Sequence, residues 1–405
     1  MLPSLLLCSL LSPLALAEDA APNPWTLTPV VQVRPRIELD TGRDGTSETQ
    51  GWMVTQRSRV GVFAEAPRWA ARVVAQDVRA WGTETDTLKD LVADAFDMHE
   101  AWVKWTPNEQ TSLTVGRQEI ALNEQRLVGA VDWTQQGRAF DAARLSVRQG
   151  ALSADLIGAL ITDGGAKDTD AYTLIVRGGW RQGKKQNGGV VDLLSVTELN
   201  QVTEMSRETV GLFAAGGTGT LSGRAEAYAQ LGSLGGSSTS AYMIGLSGTL
   251  SLGGAMTPKL TLWFDNLSGD ADLTDSTIAA FQSPFGTNHK FYGAMDVMCY
   301  STACWVDGRG LRDGALKVEL NPTGKLKANL DLHVFLEAAD QDDGRDGSMI
   351  GQELDLWLGA PVAKRGVTLN GGLSALNRSA DELVAVQSAD VAPDLWAWMA
   401  LDLSL

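Results

Sequence analysis

The stretch Leu326 to Glu337, LKANLDLHVFLE, alternates apolar and polar residues along its length. One face of an extended strand would carry Leu326, Ala328, Leu330, Leu332, Val334 and Leu336. The other face would carry Lys327, Asn329, Asp331, His333 and Glu337, with Phe335 as its single apolar residue. A period of two with one apolar and one charged face is typical of a β-strand between two different solvents. The pattern recurs along the chain, and it predicts a transmembrane β-barrel with lipid outside and water inside.

Several other stretches show the same alternation. From about Trp25 to Asp40 and from about Trp52 to Ala66, valines on one face oppose arginines on the other. From Leu221 to Leu231, small and apolar residues oppose Arg224 and its polar neighbours. The chain ends on a strand whose apolar face runs to Leu405, a type of ending that resembles the terminal signal of outer-membrane barrels.

The predicted fold is all-β, a transmembrane antiparallel up-and-down barrel. We count about 18 candidate strands, and 16 is the alternative count. The connections alternate between short turns and longer loops, which places the short turns and both termini in the periplasm. A soluble β-sandwich also alternates, but its apolar face is the inner one and its loops need not sort by length.

Residues 1–17 are predicted to be a secretory signal peptide, and residues 18–405 the barrel. The first segment has an apolar region of leucines and the cleavage pattern Ala15-Leu16-Ala17 before Glu18. A short buried helix is the alternative for this segment. No other segment approaches the ~18 apolar residues of a membrane helix. In an oxidising compartment, the close pair Cys299 and Cys304 predicts a disulfide within one loop.

The amino-acid composition argues against some classes of function. The net charge of −16 argues against nucleic acid as a partner. The 43 Gly and 13 Trp suit a barrel, since Gly allows strands to curve and Trp favours the membrane interface. With three His and no nucleophile motif, the sequence does not predict an enzyme.

Basic residues on predicted lumen faces are the first candidate site. They are Arg34, Arg36, Arg57, Arg59, Lys104 and Arg144. Guanidinium groups in a narrow aqueous pore attract anions and can hold carboxylates with two hydrogen bonds. The alternative is a ladder of salt bridges, because Glu38, Asp40, Glu65 and Glu100 are close in sequence and can neutralise these cations.

Two long loops are predicted to fold into or over the pore. The first runs from Gly116 to Arg138, and the second runs from Asn266 to Gly310. In the second, Asn288, His289 and Lys290 are candidates to bind a carboxylate or a hydroxyl-rich ligand, or else to hold the loop on the barrel wall. The acidic loop Asp340 to Asp346 makes Ca²⁺ a candidate, although its spacing is not that of an EF-hand and a solvated loop is the alternative. No other cofactor is expected.

These segments resemble the alginate-export family of outer-membrane porins. The resemblance lies in Gly116-Arg117-Gln118, Arg126-Leu127-Val128-Gly129, Trp133, Gly137-Arg138-Ala139-Phe140-Asp141, Thr287-Asn288-His289-Lys290-Phe291-Tyr292-Gly293, Asp296, Gly310-Leu311-Arg312-Asp313, and Gly351-Gln352-Glu353-Leu354-Asp355. It implies an 18-stranded barrel in the bacterial outer membrane and a passive, anion-favouring conduit for an acidic polysaccharide. It also implies a pore wall of basic residues, to which Arg117, Arg126 and Arg138 are assigned.

Three hypotheses follow. The first is a channel that passes an anionic polysaccharide or smaller carboxylated solutes across the lipid bilayer of the outer membrane. The second is a general or cation-tolerant uptake porin. The third is a surface-binding barrel that conducts nothing. The sequence identifies no periplasmic export partner.

Overall fold

The computed structural model describes residues 24–40, 51–82, 96–166, 168–184, 187–299, 308–341, 349–363, 366–379 and 394–405. The predicted signal peptide and Cys304 lie outside these residues, as does most of the acidic loop that follows Asp340. The signal peptide, the disulfide and the calcium site therefore stay predictions. Among the described residues, no helix has the length and apolar character needed to cross a membrane.

The described part of the chain consists almost entirely of strands. They are β1 (Thr26–Asp40), β2 (Gly51–Ala66), β3 (Trp69–Ala80), β4 (Phe96–Trp105), β5 (Thr111–Gln118), β6 (Phe140–Gln149), β7 (Leu152–Thr162), β8 (Ala171–Lys184), β9 (Asn187–Asn200), β10 (Met205–Gly217), β11 (Leu221–Leu234), β12 (Ser237–Ser251), β13 (Lys259–Leu267), β14 (Thr277–Ile278), β15 (Leu311–Leu320), β16 (Lys327–Leu336), β17 (Met349–Pro361), β18 (Val367–Arg378) and β19 (Asp394–Ser404). A 3₁₀ turn, Asn288–Lys290, lies between β14 and β15.

Eighteen of these strands form one closed barrel, as predicted. Each strand pairs antiparallel with its neighbour in sequence, and β19 returns to pair with β1, for example Met399 with Ile37. The exception is the two-residue β14, which pairs parallel with β12 inside a loop, so that β13 pairs directly with β15. Closure leaves no strand edge exposed to lipid, which a membrane requires because lipid offers no hydrogen-bond partners.

The two faces of β16 show how alternation in the sequence determines which side chains face lipid and which face the lumen. Leu330 and Leu332 are each 43% exposed on the outer surface, whereas His333 and Phe335 are buried inside. The predicted alternation of lipid-facing and lumen-facing residues is therefore confirmed for the stretch that first indicated it. Phe335 departs from the polar pattern because it packs in an apolar cluster inside the lumen.

The loops sort by length at the two ends of the barrel. At the end that holds both termini, the turns are short, such as residues 67–68 and 150–151. At the other end lie the long loops 119–139 and 268–310, although residues 201–204 and 235–236 are short there. The connection from Arg181 to Gly188, expected to be long for its side, is a tight hairpin, since β8 and β9 pair up to Lys184 and Asn187.

Aromatic side chains mark both rims of the outer surface. Trp52, Trp81 and Phe96 are exposed near the long-loop end. Trp69 and Trp105 are exposed near the short-turn end and stack on each other with their ring centroids 6.2 Å apart. Amphipathic rings favour the headgroup level of a bilayer, so the apolar belt between these rims is the lipid-facing band.

We expect a lysine at Leu332 to weaken the barrel. Leu332 faces lipid near the middle of β16, and a basic residue at the bilayer midplane costs about 2–4 kcal/mol. Urea unfolding of the barrel in lipid vesicles measures the loss. Asn329→Lys, on the lumen face of the same strand, is the control and is expected to change stability much less. Equal losses for the two variants would contradict the assignment of faces.

Candidate functional site in the barrel lumen

The two long loops at one end fold into the lumen and join there. Val128 of the first loop forms a parallel bridge with Phe285 of the second. The Gly129 amide donates to the Phe285 carbonyl at 2.8 Å, and the Thr287 amide donates to the Gln125 carbonyl at 2.9 Å. These backbone bonds make loops 119–139 and 268–310 one unit, as expected for loops that narrow a pore.

Arg126 fastens this unit to the barrel wall. Its side chain is 1% exposed and donates to Glu226 at 2.9 Å and to Asp265 at 2.7 Å. Its guanidinium also lies 3.7 Å from the Phe291 ring centroid. Burial alone would lower the pKa of Arg126, but the Asp265 and Glu226 carboxylates raise it well above its usual range. Arg126 therefore holds the loop and does not line the pore, contrary to the prediction.

The arginines of β1 and β2 have the same role on the opposite wall. Arg34 donates to the carbonyls of Asp132 and Thr134, each at 2.8 Å. Arg57 is fully buried and bonds the Asp132 carboxylate at 2.8 Å. Arg36 pairs with Glu38 at 2.8 Å, as the ladder alternative expected, and also donates to a loop carbonyl. These side chains hold loop 119–139, so the prediction of a free basic wall was wrong for Arg57.

Two further predicted residues also support the loops. Arg59 bonds Gln76 at 2.7 Å and Glu119 at 3.3 Å. Arg138 donates to the carbonyls of Phe285 and Gly286 across the loop junction, and burial lowers its pKa to about 10. Both guanidinium groups therefore serve the packing of the loops rather than the open pore.

A salt-bridge ladder runs along the wall formed by β6 to β9. Arg144 bonds Asp155 at 2.8 Å, and Arg177 bonds both Asp155 at 2.9 Å and Asp192 at 2.8 Å. The ladder alternative thus holds for Arg144. The sequence reasoning missed Arg177, and also Arg207 and Arg224, which pair with wall carboxylates in the same way. Their alternation with apolar residues along each strand was the available signal.

Arg117 lies on the outer surface, so its assignment to the pore was wrong. It shares a face of β5 with the exposed Val115, and it pairs with Asp141 at 2.9 Å and Asp97 at 3.5 Å. Gly116 beside it has φ +121, and a Cβ there would lie 2.2 Å from a carbonyl oxygen of β4. Lys104, between the lipid-facing Val103 and Trp105, is on the lumen side near the short-turn end.

Trp133, in the first inward loop, packs against the lumen face of the wall formed by β17, β19 and β1. Its ring stacks on His289 with centroids 4.1 Å apart and planes 10° apart, and the Arg36 guanidinium lies 4.3 Å from its centroid. Three more tryptophans pack against this ring in T-shaped geometry, namely Trp357, Trp396 and Trp398. His289 is fixed in turn by the Asp296 carboxylate, 2.7 Å from its Nδ1.

Below this aromatic cluster lies a chamber of about 520 Å³ that extends toward the short-turn end. Its charged and aromatic lining is Arg34, Arg36, Asp132, Trp133, His289, Lys290, Lys317, Asp331, His333, Asp355, Trp357, Trp398 and Asp402. A smaller cavity of about 310 Å³ on the long-loop side shares Arg36 and Trp133 with it. The structure thus brings Arg34, Arg36, His289 and Lys290 together, while Asn288 is buried in the loop.

Cys299 is buried within the second loop. It belongs to the apolar cluster that fills the lumen side of the loops. In the part of the chain that is described, no group of three or more His, Cys, Asp or Glu side chains is placed to hold a metal ion.

Removing the Arg126 cation should release the loops from the wall. In Arg126→Met, Arg224 is the one cation among the described residues that still pairs with Glu226 and Asp265, and breaking a buried ion pair costs about 3–5 kcal/mol. We expect lower stability in urea and faster protease cleavage within loop 119–139. Arg312→Met, on the exposed outer surface, is the control and should leave both measurements unchanged. Unaltered cleavage in Arg126→Met would refute the anchoring role.

The fold has known counterparts among outer-membrane channels. Pseudomonas aeruginosa OccK2 (OpdF) in complex with glucuronate matches with a TM-score of 0.61 and 10% identity over 94% of this chain and 98% of that one. P. aeruginosa OpdK with vanillate matches with a TM-score of 0.60 and 12% identity over the same shares. P. aeruginosa OccK11 (OpdR) matches with a TM-score of 0.59 and 13% identity over 94% and 96%. At these identities the likeness shows the fold.

No curated protein matches the chain significantly. The alginate export family, however, matches residues 31–370, which is most of the sequence and includes both inward loops. Family and fold are those of outer-membrane channels, and the barrel sits in the lipid bilayer of the bacterial outer membrane. The protein belongs to the alginate export family.

Proposed function

We propose that the barrel is a passive channel for small carboxylated, hydroxyl-bearing solutes such as sugar acids, and that the chamber below Trp133 is where they bind. The observation that carries this proposal is an accessible cation beside unpartnered polar atoms in a chamber of about 520 Å³. That volume lies within the range of roughly 300–1,000 Å³ typical of small-molecule sites.

Lys290 supplies the accessible cation. Its amino group donates to the Glu124 carbonyl at 3.2 Å, and the ion pairs found among the described residues do not include it. The arginines around it are occupied by carboxylates and loop carbonyls. Lys290 is therefore the chamber cation best placed to meet the carboxylate of a solute.

Neutral polar atoms complete the chamber. His289 Nε2 and Trp398 Nε1 are buried, and neither has a hydrogen-bond partner in the described structure. Asn329 Oδ1, also on the chamber wall, is an unpartnered acceptor. The amide side chains of Asn329 and Asn370 on the chamber wall can bond the hydroxyl groups of a ligand. Glucuronate and vanillate, found with two structural neighbours, both carry a carboxylate, which supports the same class here.

An acidic polysaccharide is the second candidate, and the family match favours it. A polymer is larger than the chamber of about 520 Å³, so it would require the joined loops to move. A monomer or short oligomer fits the chamber with the loops in place. The size of the solute that crosses therefore separates the two candidates.

The test is conductance in planar bilayers with glucuronate as the probe and glucose as its neutral control. We expect anion preference in a salt gradient, block by glucuronate, and weaker block by glucose. Lys290→Gln removes one charged hydrogen bond, and block should weaken by roughly tenfold, about 1.4 kcal/mol. Lys104→Gln, which removes a lumen cation outside the chamber, should not change it.

Other outcomes of these measurements would favour the alternative functions. Cation preference without block would favour a general or cation-tolerant porin, and the absence of conductance by a folded barrel would favour a binding protein. Flux of oligouronates into liposomes as fast as flux of glucuronate would favour the polymer conduit and contradict the small-solute proposal.

Glucuronate block should also depend on pH through Lys290. Burial lowers the pKa of this lysine below its usual value of 10.5. Its charge is lost as pH rises through the lowered pKa, so block should weaken at a lower pH than an exposed lysine would allow. A titration of block against pH checks this, and Lys290→Gln should lack the transition. If glucuronate block titrates identically in Lys290→Gln, the pH dependence arises from another group.

A further inference from the structure

Two acidic side chains lie side by side under the second inward loop. Glu353 and Asp355 are two residues apart on the lumen face of β17, and they are 0% and 1% exposed. Neither forms an ion pair with a lysine or arginine among the described residues. Buried acids without a cation require another explanation.

The loop rests on these two carboxyl groups. The Met295 amide donates to Glu353 Oε1 at 2.8 Å, and the Ala294 amide donates to Asp355 Oδ2 at 3.3 Å. Gly293 has φ +82, and a Cβ built there would lie 2.6 Å from Glu353 Oε2. Only glycine allows the backbone to approach the acid this closely, so residues 293–295 and the acid pair form a latch between loop and wall.

The remaining oxygens of the pair need a proton. Glu353 Oε2 and Asp355 Oδ1 are both buried without a hydrogen-bond donor in the described structure. The two carboxyl groups are neighbours on one face of β17, two residues apart. Two ionised carboxylates cannot donate to each other and repel, whereas one shared proton satisfies both.

The neighbouring charges do not neutralise the pair. His333 lies opposite Glu353 in the register, but its Nδ1 bonds Asp313 at 2.9 Å. Asp331 lies opposite Asp355 and bonds Lys317 at 3.1 Å. On β18 the facing residues are uncharged. The titratable and charged groups that face the pair from the surrounding elements are His289, Asp296, Asp313, Lys317, Asp331 and His333.

We propose that Glu353 and Asp355 form a proton-binding site whose shared proton keeps the second inward loop latched to the barrel wall. When the proton is lost at alkaline pH, two buried negative charges face each other and the loop is released from the lumen. This inference concerns the loop and does not depend on which solute passes, so its failure and that of the sugar-acid proposal are separate results.

The test is single-channel conductance between mildly acidic and alkaline pH. We expect a step to higher conductance in the wild-type barrel as pH rises. Glu353→Gln keeps the shape of the side chain, and its amide can donate to Asp355 at every pH, so the step should be lost and conductance should stay low. Asp192→Asn removes a lumen carboxylate outside the chamber that has its own cation, Arg177, and it should keep the step.

Two further measurements test the proposal independently. Gly293→Ala adds a methyl group against Glu353 without changing charge, and it should raise conductance at every pH. Trypsin cleavage after Lys290 should be faster in the wild type than in Glu353→Gln at the same alkaline pH. A step that persists in Glu353→Gln, a step lost equally in Asp192→Asn, or equal cleavage of the wild type and Glu353→Gln would overturn the proposal.

Discussion

Arg126 lies between Glu226 and Asp265, and this buried ion triad decides how the lumen is filled. A guanidinium out of water is costly unless carboxylates meet it with good geometry, and here two of them do so at 2.9 and 2.7 Å. The loop that carries Arg126 is bonded to the second loop through Val128 and Phe285. This contact therefore acts on both loops, and on the apolar cluster packed around them, together with the other wall contacts of the loops.

Most of the described lumen arginines are occupied by hydrogen bonds and ion pairs that hold the loops or the barrel wall. On β1 and β2 they bind carbonyls of loop 119–139, and on β6 to β9 they bind wall carboxylates. An arginine that donates to several fixed acceptors offers little to a passing anion, even when its charge remains. The attraction of solutes is thereby left to groups such as Lys290, whose partner is a neutral carbonyl. A count of basic residues on lumen faces overstates the basic surface of this pore.

The fold could be predicted from sequence because the solvent that each strand residue faces, lipid or water, is set by its position within its own strand. Leu332 and His333 face different solvents whatever the distant residues do, so a period of two suffices to define β16. The site could not be predicted in the same way. Arg126 and Asp265 are 139 residues apart, and no local pattern pairs them. Arg117 sits beside Gly116 at the end of β5, where alternation alone did not fix which face it occupies.

The acidic net charge and an anion-binding chamber are compatible once each acid is placed. Asp97 and Asp141 are on the outer surface with Arg117, and Asp155 and Asp192 are neutralised in the ladder. None of these acids contributes a free negative charge to the chamber. A solute responds to the field at the narrowest part of its path rather than to the charge of the whole chain. In the proposed channel, selectivity then depends on the balance between Lys290 and the few unneutralised chamber acids rather than on the −16 net charge.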